Sequence, residues 1–140
     1  MSTVAEGLLQ ALNDTLAAGN IGAGVARSRT AALVREALPM VVVRPRQVGY
    51  QPAGAMTKND LLVRVSVHVR GDVPDQAADP IVQALHRALM ADQSLGGRCF
   101  QILGPAMAWD DGEGDGSAGI THLDYTLKYL TAAADLGRAP

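Results

Sequence analysis

The sequence predicts an α+β domain: a mainly antiparallel β-sheet with helices packed on one face. Three observations lead there. The stretch "LLVRVSVHVRG" alternates strictly, with Leu61, Val63, Val65, Val67 and Val69 pointing one way and Leu62, Arg64, Ser66, His68 and Arg70 the other. One face of that strand packs on a core, and the other meets water or a partner. "ITHLDYTLKYLT" alternates again, Leu123, Tyr125, Leu127 and Tyr129 against His122, Asp124, Thr126 and Lys128. Val4, Leu8, Leu9, Leu12 and Leu16 instead recur at helical spacing and form one apolar stripe.

The remaining elements follow in order. The first helix, about 3–18, stops in "AAGNIGAG", where Gly19, Gly22 and Gly24 make a flexible connector. A short helix is expected in "RSRTAALVREALP", with Ser28 or Thr30 as cap and Pro39 closing it. "MVVVRP" reads as a strand because consecutive valines favour the pleated surface, and "RQVGYQ" continues it. "QPAGAMTKND" then reads as a loop, from Pro, Gly, Asn and Asp together. After "GDVPDQ" a second helix runs to about Met90, with Ala77, Ala78, Ile81, Leu85, Ala88 and Leu89 on its inner face. Pro74 and Pro80 fit only near its beginning, and Asp72, Asp75 and Asp79 suit the positive end of its dipole. "SLGG" ends it, and "RCFQILGPAMAW" is a further strand. The chain reads as one domain over 1–140, with its core at about 20–131 and a flexible tail over 132–140.

Composition narrows the classes. Apolar residues make up 48% and charged residues 19%, which places the chain among globular rather than disordered sequences. No apolar run approaches the roughly 20 residues that span a bilayer, and the N-terminus shows no secretory pattern, so no membrane contact is expected. Cys99 is the single cysteine, which excludes an intrachain disulfide and reads as a buried structural thiol. The formal charge of −2 hides an asymmetry, about +4 over residues 1–70 and −6 over 71–140. Neither half is basic enough for a nucleic-acid footprint, whereas faces of opposite sign favour head-to-tail self-association.

"WDDGEGDG", Trp109 to Gly116, is the stretch that most invites a chemical reading. From Asp111, the calcium-loop template finds Glu113, Asp115 and Gly116 in register, but His122 stands where a bidentate Glu is needed, and strands flank the loop. Gly114, Gly116 and Gly119 fit a dinucleotide spacing, yet carboxylates surround them and no helix follows. A hydrated hairpin loop is the expected reading. His68, His86 and His122 have no ligand spacing, and Ser28, Ser66, Ser94 and Ser117 no nucleophile-elbow context. Phe100 and Trp109 are too few to stack RNA bases. No catalytic residue, cofactor or metal ligand is assigned, and an enzyme is not expected.

"GVARSRTAALVREALPMVVVRP", "LLVRVSVHVRG", "DQAADPIVQALHRALMADQSLGG" and "ITHLDYTLKYLT", in that order and spacing, resemble the phage tail terminator family. These are the minor tail protein U-like proteins of long, non-contractile-tailed phages and prophages. The resemblance covers roughly residues 20–136. It implies a structural virion protein of the tail, assembled in the bacterial host cytoplasm. Such a protein forms a homo-oligomeric ring, a hexamer, on the tail tube, stops tube polymerisation and presents a surface to the head-tail connector. Its partners would be itself, the tail tube protein and the connector protein, with no specific nucleic-acid contact beyond DNA passing through the ring. A ring repeats one heterologous contact, so each subunit needs two complementary patches. Arg27, Arg29, Arg44 and Arg46 are the candidates for one, and Asp110, Asp111, Glu113 and Asp115 for the opposing or tube-facing one. The rival readings are a neck protein without a length-terminating role, a nucleic-acid-binding α+β domain and a small-molecule enzyme.

Overall fold

The computed structural model describes residues 2–28, 38–111 and 118–139. The expected α+β architecture is what it shows. The elements are α1 (Val4–Ala18), β1 (Gly24–Arg27), β2 (Met40–Ala53), β3 (Met56–Arg70), α2 (Pro74–Met90), β4 (Gln101–Asp111) and β5 (Ala118–Ala132). The strands form one sheet in the order β1-β2-β3-β5-β4. Only β1–β2 is parallel; the other neighbours are antiparallel.

The alternating strands set the layers. Val63 stands opposite Tyr125, Val65 opposite Leu123 and Leu61 opposite Leu127. All six are buried on the face that both helices cover. On α1, Thr3 Oγ1 accepts the Glu6 N–H at 3.0 Å, satisfying one of the amides that a helix start leaves unpaired. Leu8, Leu9, Leu12 and Leu16 are buried against the sheet and against α2. On α2, Ala78, Ile81, Leu85 and Leu89 make the inner face; Ala77, expected there, is exposed. Pro74 opens the helix where a missing N–H costs nothing, but Pro80 stands inside it and leaves the Gln76 carbonyl without its helical donor. His86 Nδ1 lies 2.9 Å from the Tyr125 hydroxyl, tying α2 to β5.

Three expectations change. β1 was not foreseen: within the glycine-rich connector, Val25–Arg27 pair with Val41–Val43, and the Ser28 N–H extends the pairing to the Val43 carbonyl. The short helix expected after it falls mostly on 29–37, outside the described residues. "QPAGAMTKND" is not a loop. β2 and β3 pair through it down to Ala53–Met56, leaving a two-residue turn. Gly54, with φ +70°, supplies the left-handed first position such a turn needs. Its polar residues have uses within the sheet: the buried Asn59 donates to Thr131 Oγ1 at 3.0 Å and to the Thr57 carbonyl. The segment expected as a flexible tail is bonded down through Arg138. Its Leu136 carbonyl accepts the Val4 N–H, Ala133 N–H donates to Ala55, and Ala132 N–H donates to Arg138, each at 2.9 Å.

Candidate interaction surface

The buried residues of α1 and α2 share one core with Leu61–Val69 and Leu123–Tyr129, on one side of the sheet. The other side is an ordered grid, because antiparallel partners share a face. One row runs Met40, His68, Ile120, Asp110; the next Val42, Ser66, His122, Ala108; the next Arg44, Arg64, Asp124, Ala106. The rows toward the β2–β3 turn are Gln47, Leu62, Thr126, Leu103 and then Gly49, Asp60, Lys128, Gln101.

Charges on this face are paired by register. Arg64 Nε and Nη2 donate to Asp124 Oδ1 and Oδ2 at 2.8 and 3.0 Å, and Lys128 Nζ donates to Asp60 Oδ1 at 3.0 Å. Ser66 Oγ and His122 Nδ1 share a 2.7 Å hydrogen bond, the tautomer deciding which donates. His122 Nε2 points to Asp110 Oδ2 at 3.7 Å. His68 Nε2 is buried and has no hydrogen-bond partner among the described residues. Burial lowers both imidazoles below their ordinary value; His122 and Arg44 add to this at His68, and Arg64 adds to it at His122. Asp110 and Asp124 pull His122 the other way. Val42 and Ser66 are buried while Arg44, Asp110 and Leu103 are exposed, and the ion pairs sit on the central strands β3 and β5.

The sequence-predicted residues separate here. Arg27 lies on the helix side, where its guanidinium forks onto the Glu6 carboxylate of α1, Nη2–Oε1 being 3.1 Å. It is an internal tether between β1 and α1. Arg44 and Asp110 share the face turned away from α1 and α2, on strands β2 and β4. Arg46 is exposed at the one-residue irregularity in β2 between Pro45 and Gln47, and Asp111 ends β4. Arg29, Glu113 and Asp115 lie outside the described residues. Sequence reasoning missed Arg64, Asp124, Ser66 and His122 as a connected set. The signal was the polar half of each alternating strand, but the register joining them is not local. Among the described residues no three His, Cys, Asp or Glu side chains stand together as a metal site would need. No described helix is long and apolar enough to cross a membrane.

No family model and no curated protein matches the chain. Among solved structures, it is similar to a chain of the virion of the native gene transfer agent (GTA) particle. The TM-score is 0.51 at 12% identity, over 86% of this chain and 92% of that one. At that identity the likeness is one of fold.

Proposed function

We propose that this protein is a structural component of a phage-derived particle, and within it a tail terminator. In this reading, copies form a hexameric ring on the tail tube, stop its polymerisation and offer the head connector a docking surface. The observation that carries the reading is the shared fold, over nearly the whole of both chains, with a component of a gene transfer agent virion. The sheet face turned away from α1 and α2 supports it, since its register-paired charges, Arg64–Asp124 and Lys128–Asp60, beside exposed apolar Leu103, suit contact with other protein. Chemistry is not assigned to it: Arg64 pairs with Asp124 and Lys128 with Asp60 rather than converging on a substrate.

Electron microscopy of an induced lysate, with and without the gene, tests this. Overlong tubes without heads in its absence would support termination. Tails of normal length lacking heads would replace it with a neck role. Unchanged particles would remove both.

A further inference from the structure

The sheet has two long strand edges that carry no partner among the described residues. β1 covers β2 only over Met40–Val43, and no described residue pairs with the outer edge of β2 from Pro45 to Ala53. On the far side of the sheet, β4 has β5 on one flank only. Unpaired edges of this length are templates for another strand, and folds ordinarily blunt them.

These two edges match one another. Three antiparallel steps separate β2 from β4, so the two strands run in opposite directions. A second copy set beside the first, with its helices on the same side, therefore brings its β4 antiparallel to β2. The faces agree as well. Val48 pairs with Leu61 and Met107 with Leu123, so both belong to the helix-bearing face. Backbone direction also agrees. The two-residue turn closes on an Ala53–Met56 pair that faces inward, so alternation turns Gln47, Gly49 and Gln51 toward β3 and Val48 and Tyr50 outward. Carried across β3 and β5, the same alternation turns Ala106, Ala108 and Asp110 toward β5 and Met107 and Trp109 outward.

With Val48 opposite Met107, the irregularity at Arg46 brings Pro45 opposite Trp109 and Arg44 opposite Asp110. The side chains that would meet are those the isolated fold leaves out: Val48 is 45% exposed, Tyr50 74%, Met107 40% and Trp109 61%. Charge favours the same pairing, with Arg44 and Arg46 along one edge and Asp110 along the other.

We propose that copies of this protein associate edge to edge, β2 of one against β4 of the next, extending one sheet through successive subunits. The contact is heterologous, so it propagates around a ring. It rests on the ring reading above, and names the surface that would close that ring.

The test is cross-linking in the full-length protein with Cys99→Ser. Val48→Cys combined with Met107→Cys is oxidised with copper phenanthroline, alone and in tail-particle preparations. The expected result is a ladder of covalent multimers that neither single-cysteine variant gives. Met107→Pro is the second variant: its amide points away from β5, so circular dichroism and melting should stay native while self-association weakens at least tenfold. Rings that form without the cross-link and survive Met107→Pro would overturn this contact and leave the ring role standing. A protein that stays monomeric alone and in particles would overturn the contact outright. The cross-linked ladder together with unchanged particles in the gene-deleted lysate would keep the contact and remove the terminator role.

Discussion

Arg64 of β3 and Asp124 of β5 stand directly opposite one another and are joined by two parallel hydrogen bonds of 2.8 and 3.0 Å. The planar guanidinium matches the carboxylate, and the sheet holds both at one register, so little side-chain freedom remains to be lost. The Arg64 hydrogen bonds hold the Asp124 carboxyl below its ordinary value, against a smaller opposing effect of burial. Both side chains are about one-third exposed, so solvent limits what the pair contributes.

Asp124→Asn should therefore cost about 1 kcal/mol at pH 7 in urea unfolding. A carboxyl depressed in the folded state contributes its stability in full above the unfolded value, near 3.9, and loses it as pH falls through the lower folded value. The gap between wild type and variant should thus narrow as pH falls below the unfolded value and close once the folded carboxyl is protonated. A gap that persists there would mean that the pair is not the source.

The two imidazoles give a second pH effect of the same sign. Burial lowers His68 and His122, and the groups facing them are Ser66, Arg44, Arg64, Asp110 and Asp124. A histidine depressed in the folded state stabilises fully above about pH 6.5, and stability declines as pH falls through the folded value. His68→Leu should flatten the loss of urea midpoint between pH 7 and 5. An unchanged slope would show that His68 titrates as it does in the unfolded chain.

Gly119 of β5 supports the start of α2. A Cβ built there would lie 2.5 Å from Pro74 Cβ, and the proline ring cannot rotate away. Gly119→Ala should cost about 1–3 kcal/mol by displacing the first turn of α2 from the sheet. A variant with an unchanged urea midpoint would mean that α2 shifts freely at that end.

What could be read from the sequence follows from where each signal lives. β3 and β5 announce themselves because they are central: one face of each is core, so Leu61–Val69 and Leu123–Tyr129 alternate without a break. β2 loses that pattern after Val43, where it becomes an edge, and Pro45, Gly49 and Pro52 then read as turn residues. β1 is four residues inside a glycine-rich segment, too short for any period to show. On the surface, charge alone points to Arg44, Arg46 and Asp110, which lie exposed on strands. Charge points equally to Arg27, but its partner Glu6 is 21 residues away, and only the β1–α1 contact brings the two together. The Arg64–Asp124 pair spans 60 residues and depends on a strand register that no local pattern specifies.

Cys99 offers a direct reading of how tightly the end of the α2–β4 connection closes. Its thiol is buried, its Sγ lies 3.2 Å from the Gln93 carbonyl, and burial pushes it up to about 11. The thiolate is the reactive form, so at pH 8 the native protein holds roughly a hundredfold less of it than an unfolded chain whose thiol titrates near 8.5. Iodoacetamide should label native Cys99 roughly a hundredfold more slowly than the same protein in denaturing urea, with the native rate still climbing at pH 10. A native rate equal to the unfolded one would show that residues 92–100 open readily. Strand β4 would then enter the sheet from a mobile segment, its direction fixed only by its pairing with β5.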